Sequence, residues 1–415
     1  MNKWLDKNII KIITLFLVLG PFFDLTTSLL INVFKIDFNF IIIIKILFLF
    51  IILYYSIFIS KNKYKKYLLT YYLFLFLYLL ISIIYIYLNK DFVYEVSNLF
   101  RYYFFPISLV SIFSLYLNNK KIDSKVLSLI FLEYLLLIFI PIITKTGFNS
   151  YAYSKVGSIG WFNSTNEIGG IFTILLPFFL KELINKKNLL LTIIFSIIII
   201  FTSFSMGSKV PVIMTCLTYL IYIILYLKDH KDKIKFLVLP FILIISFSIY
   251  LLPKTNFYKN IKIHLDFLEI KNVNDLLTPE NIDHFIFSSR LKFLNETRTN
   301  FENSNLYNHT MGIGYIENYG TDNINIKTIE MDYFDILYRN GYIGFILYFL
   351  PFVYIVSKIK MYKKTEIYSL VLALILALFQ GHILVSPSVS ICVIIIMLNG
   401  GKYEKLLYNS KLQWL

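Results

Sequence analysis

Charge is scarce in this sequence. Asp, Glu, Lys and Arg make up 16% of its 415 residues, against about 25% in a typical soluble domain. With 58% hydrophobic residues and a mean hydropathy of +0.69, a soluble globule is excluded. Cysteine is nearly missing. Cys216 and Cys392 both fall inside apolar runs, so they read as small core residues and not as a disulfide scaffold. Arginine is rarer than the basic balance suggests: only Arg101, Arg290, Arg298 and Arg339 stand among 40 basic residues. Also missing are a Walker loop, a His-Glu-x-x-His helix, a Cys-rich metal site, a Gly-x-Ser-x-Gly elbow and an Asp-x-Asp pair. Neither a metal nor a cofactor is therefore expected. No internal repeat and no matched pair of Gly/Pro-broken helices is visible, which argues against a transporter.

What the chain does have is apolar runs of membrane-crossing length. A bilayer core of about 30 Å needs about 20 apolar residues in a helix, and only helices satisfy their own backbone one segment at a time. Spans are predicted near 9–31, 38–59, 67–88, 99–117, 126–144, 168–184, 188–206, 210–227, 234–252, 336–357, 366–382 and 384–399. The first run is longer than a signal-peptide core and lacks a small-residue cleavage site, so it counts as a span. Lysines cluster at the N-terminus, Lys61–Lys66, Asn118–Lys121, Lys181–Lys187, Lys228–Lys235, Lys358–Lys364 and the C-terminal tail. These are alternate connectors, so one topology puts all of them, and both termini, in the cytoplasm. The net charge of +15 is thus an orientation signal and not a nucleic-acid signature. The fold class expected is an all-α integral membrane protein of about 12 transmembrane helices, one polytopic domain over 1–415. A long extracytoplasmic loop with short helices, 253–335, lies between spans nine and ten.

That loop carries most of the candidate chemistry. Over Ser288–Phe301, helical spacing puts Arg290, Leu294, Thr297 and Phe301 on one stripe, with Ser288 or Ser289 available as N-cap. Arg290 then projects from an apolar face, where an anion would explain it; pairing with loop carboxylates is the plainer alternative. Arg298 lies about 12 Å further along the axis. Met311–Tyr315 holds two glycines, Gly312 and Gly314, suited to a tight turn. If helical, Glu330, Phe334, Leu337, Gly341, Gly344 and Tyr348 form a close-packing stripe, and Asp335 with Arg339 forms an i,i+4 pair. Glu330 stands at the outer end as a candidate general base.

Two further clusters open spans. Asn163, Asn166 and Glu167 crowd the start of the sixth, fitting sugar contact or simple helix capping. Ser208 and Lys209 open the eighth, where free backbone N–H groups and a lysine make a phosphate seat, or the lysine merely snorkels. His382 sits at another outer span end, where it reads as a satisfied buried histidine, and Asp24, Lys45 and Glu133 lie within spans.

In order, the Asn163–Gly169 segment, the Ser-x-Gly-Ser-Lys turn at Lys209, Ser-x-Arg at Arg290, Gly-Ile-Gly at 312–314 and Asp-x-Leu-x-x-x-Gly-x-x-Gly from Asp335 to Gly344 resemble the O-antigen ligase and polymerase family of bacterial membrane proteins. The resemblance covers about Gly160 to Ser390. It implies a metal-independent, inverting glycosyltransferase of the bacterial plasma membrane, acting on an undecaprenyl-diphosphate-linked oligosaccharide at the outer face. It casts Arg290 and Lys209, with Arg298, as diphosphate clamps, and Arg339, Asn163 and Asn166 as further donor or glycan contacts. Many ligases of the family carry a histidine where Glu330-Met-Asp332 stands here. That departure tilts the expectation towards a polymerase of capsule, O-antigen or exopolysaccharide, with Glu330 as base. A ligase and a polysaccharide flippase are the alternatives. Membrane lipid, and a flippase and chain-length regulator of the same pathway, are the candidate partners.

Overall fold

In the computed structural model, residues 2–36, 40–62, 64–89, 92–150, 155–229, 236–242, 246, 252–270, 272–315 and 328–403 are described. They are overwhelmingly helical, with one two-stranded antiparallel pairing of Ile359–Met361 and Gly401–Tyr403. Among the described residues, six helices are long and apolar enough to cross a membrane: Asn2–Asn32, Phe40–Ile59, Lys65–Leu88, Phe92–Leu117, Lys125–Thr144 and Asp332–Lys358. Leu189–Ser205, Lys209–Leu225 and Pro387–Gly400 are apolar but shorter. Helices at Thr165–Asn185 and Lys364–Phe379, and helical residues at 236–242, fall on the remaining expected spans. The chain is an integral membrane protein by these helices.

Two compact units make up the chain. The first is Met1–Ile13, Ile44–Ile122 and Phe287–Leu415; the second is Thr14–Ile43 and Asp123–Ile286.

In the first unit, Phe92–Leu117 is the hub. Its apolar window is 89% buried, against 28% for Lys65–Leu88, whose Leu73, Phe74, Phe76 and Tyr87 face outward as lipid-facing residues do. Ser108, Ser111 and Ser114 are fully buried on the hub, and small side chains let neighbouring helices approach where no hydrophobic force drives them together. The neighbours are the Asp332–Lys358, Pro387–Gly400 and Lys65–Asn89 helices. In the second unit, Lys125–Thr144 packs on Thr165–Asn185, with Phe131 between Phe172 and Phe179 at centroid distances of 5.1 and 5.0 Å.

The polar stretch after Pro253 folds back within each unit. In the second, Thr255 caps the Asn256–Phe267 helix, and buried Asn260 bonds the backbone of Val156 in both directions and the carbonyl of Gly207. In the first, the Arg290–Glu302 and Leu306–Met311 helices precede the long Asp332–Lys358 helix. Phe301, Ile329, Met331 and Tyr338 form a small core there, with Leu294 packed against it. The stripe expected from the sequence is therefore real, since Thr297 and Phe301 are its buried members.

Two local expectations are corrected. Ser288 and Ser289 do not cap through their hydroxyls: both take left-handed backbone, φ +56° and +64°, and Ser289 makes no side-chain cap bond. The stripe from Glu330 to Tyr348 is not one continuous helical face either. The helix starts at Asp332, and Gly341 breaks it at φ +66°, ψ −177°, a region only glycine visits readily.

Candidate active site

Arg290 is delivered by the two left-handed serines to the first turn of its helix. Its Nη2 donates to Glu330 Oε2 at 2.8 Å and its Nη1 to the Phe379 carbonyl at 3.0 Å. Both side chains are largely shielded, 12% and 19% exposed, so water screens the pair less than it would a surface bridge. Arg290 Nε is buried without a partner among the described residues. Glu330 is itself left-handed, φ +59°, just before the helix begins. A bulky residue held there is a strained feature, of the kind that clusters at working sites.

The strain is maintained from below. Asp332 is fully buried and accepts from the backbone N–H groups of His382, Ile383 and Leu384 at 2.7, 2.9 and 2.6 Å. Those bonds pin the Gln380–Ser386 turn beneath Glu330. Gly381, at φ +69°, lies so close that a Cβ there would sit 2.5 Å from the Glu330 carbonyl carbon and oxygen.

A second knot secures the other side. Where Gly341 interrupts the helix, the carbonyls of Tyr338 and Arg339 accept from Ile313 N and Gly314 N at 3.0 and 3.2 Å, and Asn340 O accepts from Tyr78 Oη at 3.0 Å. Tyr315 N donates to both oxygens of buried Glu95, at 2.9 and 3.0 Å, and Tyr315 Oη to Asn340 Oδ1 at 2.8 Å. Arg339 is 4% exposed. It bonds Asp335 at 3.2 Å, as the spacing predicts, and the Tyr315 carbonyl at 3.2 Å. Its donors point into the frame of this knot. Arg298, by contrast, is exposed and bonds Glu302 one turn along at 2.7 Å. Arg101 is partly buried within the Phe92–Leu117 helix.

The second unit carries the other predicted residues. Lys209 Nζ donates to the Phe285 carbonyl and lies 4.1 Å from the centre of that ring. His264 and His284 stand beside it, ring centroids 5.5 Å apart. Burial first, and then the charges of Lys155 and Lys209, push His264 down to about 3 and lower His284 as well. Ser208 Oγ and His284 Nδ1 are buried without hydrogen-bond partners among the described residues. Lys155 and Lys209 thus both act on this pair of histidines, with Asp283 opposing them at His284. Asn163 is held structurally: its Oδ1 accepts from Ser28 at 2.9 Å and from Asn32 Nδ2. Ser164 caps the next helix through Glu167 N, and Asn166 sits partly buried in that first turn. Asp24, unassigned from sequence, accepts from Tyr134 Oη at 2.6 Å.

Residues 7–276 and 271–399 match the family described as O-antigen ligase like membrane protein. The chain belongs to that family. No match was found among curated proteins or among solved structures.

Membership places the chain among membrane enzymes of the glycosyltransferase type that assemble O-antigen and related polysaccharide. For this O-antigen ligase-like chain, the Arg290–Glu330 pair is the arrangement with chemical capacity: a planar cation and a carboxylate, locked at the head of a span. Sequence reasoning missed Glu95 as the holder of Tyr315, and read the turn after Gln380 only as a span end. A carboxylate three residues into an apolar run was the available signal for the first. A Gly-His pair opposite the Asp332 region was the signal for the second, legible only once the two turns are known to touch.

Proposed function

We propose that this chain polymerises a surface polysaccharide, moving a glycan from its undecaprenyl diphosphate onto the next lipid-linked repeat unit at the outer face of the plasma membrane. The observation that supports this most is the shielded ion pair of Arg290 with Glu330. A guanidinium fork matches two phosphate oxygens as well as it matches a carboxylate. An arriving diphosphate would exchange with Glu330 for Arg290, and the carboxylate would then receive the acceptor hydroxyl. That hydroxyl attacks the anomeric carbon with inversion as the bond to the diphosphate breaks, and Arg290 meets the charge that develops on the leaving group. No metal is required in this scheme.

Lys209 is proposed as a phosphate contact because it opens its helix next to Ser208, whose buried hydroxyl has no partner among the described residues. Asn166 remains a proposed glycan contact and exposed Arg298 a proposed diphosphate contact, whereas Arg339 and Asn163 act as framework through the bonds they already make. The topology that goes with this reading has both termini cytoplasmic, twelve spans, and residues 253–335 outside.

A second reading, favoured by the family description itself, is a ligase that passes finished chains to a terminal acceptor. Deletion of the chain separates the two. A polymerase deletion accumulates single repeat units on the lipid, and a ligase deletion accumulates long chains still on the lipid. Normal surface polymer in the deletion strain would sink both.

A further inference from the structure

The proposed transfer releases a proton, and the Arg290–Glu330 pair gives it no good destination. Carboxylates are weak bases near neutral pH, with ordinary values of about 4.3 for glutamate against about 6.5 for an imidazole. General-base efficiency favours the group titrating near the working pH. An imidazole stands next door. The turn after the Lys364–Phe379 helix brings the Phe379 carbonyl to Arg290 and sets Gly381 directly against the Glu330 backbone. His382 follows, partly exposed, at φ +58°. Its backbone is fixed by Asp332, while its Nδ1 is buried without a hydrogen-bond partner among the described residues. A histidine kept for structure normally gives its ring nitrogens partners. Here the main chain does the structural work and leaves Nδ1 without a partner among the described residues.

We propose that His382 is a catalytic residue of the transfer: its imidazole takes the proton from the acceptor hydroxyl that Glu330 orients, while Arg290 holds the diphosphate. The balance is simple. The acceptor O–H bond breaks, and its oxygen forms the new bond to the anomeric carbon. The bonding pair to the old oxygen leaves with the diphosphate, and the proton resides on His382 until water removes it. The charged groups on the segments packed against this turn are Asp332, which holds its backbone, Glu330 and Arg290, which meet Gly381 and the Phe379 carbonyl, and Asp335, one helical turn from Asp332. The inference rests on the transferase reading above.

The test uses the full-length protein in liposomes with lipid-linked glycan extracted from a strain lacking this chain, and follows chain lengthening from pH 5 to 9. The expected wild-type profile of kcat/KM carries a rising limb. His382→Asn keeps a residue that tolerates positive φ and the same backbone bonds to Asp332. It is expected to lose about 10²-fold or more in rate, and to lose that limb. His382→Gly, equally at ease with the backbone, is expected to regain rate when free imidazole is added. A full-rate variant, or a slowed one that keeps the same limb and ignores imidazole, overturns the assignment. If wild-type protein leaves the extracted glycan unchanged, the transferase reading itself falls, and this inference with it.

Discussion

Gly381 touches the backbone of Glu330 across a gap with no room for a methyl group. Through that contact the turn after one helix dictates the conformation of the residue before another. Glu330 keeps left-handed backbone because Gly381 lies against it and Asp332 ties the turn down through three N–H bonds. Gly381→Ala therefore strikes the pair without touching either of its side chains. Strain of this kind costs about 1–3 kcal/mol. The variant is expected to insert normally yet make shorter or less polymer, read by gel analysis of surface glycan.

Arg290→Ala is expected to abolish polymer while protein level and membrane insertion stay normal. The loss should be about 10²–10³-fold, as for removal of one charge-stabilising donor. Arg290→Lys should restore part of it, because lysine keeps the charge and loses the fork. Wild-type chain length in the Ala variant would remove Arg290 from the site.

Residues 306–311 form a helix that packs against the head of the Asp332–Lys358 span. Alkaline phosphatase fused after Thr310 is expected to be active, and a cytoplasm-dependent reporter fused there silent. The reverse pattern would invert the whole topology.

Gly312→Ala addresses the knot. A Cβ at that position would collide with the Arg339 carbonyl, at a φ of +97° that side chains rarely adopt. The expected result is a clear fall in melting temperature in detergent, larger than for Gly20→Ala, where the added methyl meets nothing.

His264 gives a pH prediction with a definite sign. Burial and two lysines hold it down to about 3 in the folded protein, against about 6.5 when unfolded. As pH falls from 6.5 towards 3 the unfolded chain takes up a proton that the folded chain refuses, so stability declines over that window. Melting temperature is expected to drop between pH 7.5 and 4.5, and to drop less in His264→Leu. Equal slopes in the two proteins would contradict it.

The apolar runs made the helices legible, because a span has to carry its own hydrophobicity in its sequence. The stripe from Arg290 to Phe301 and the Asp335–Arg339 pair were legible too, since helical spacing alone fixes which side chains are neighbours. The turn under Glu330 was not. It joins residues 330–332 to 380–384 through backbone bonds, and a backbone donor leaves no mark in the residue types. The break at Gly341 was hidden for a related reason. Its stripe of glycines reads equally well as a helix–helix contact, and only the approach of residues 312–314 decides otherwise.

That break gives the Asp332–Lys358 span an unusual dependence. The carbonyls of Tyr338 and Arg339 find their donors in Ile313 and Gly314, and an uncovered backbone group in lipid costs several kcal/mol. The span is therefore a composite of two stretches of chain, unable to satisfy itself alone. Synthesis delivers the donors first, so the segment that completes the span is already made when the span emerges. A fragment beginning at Asp332 would carry enough hydrophobicity to enter a membrane, and would enter it with its acceptors bare.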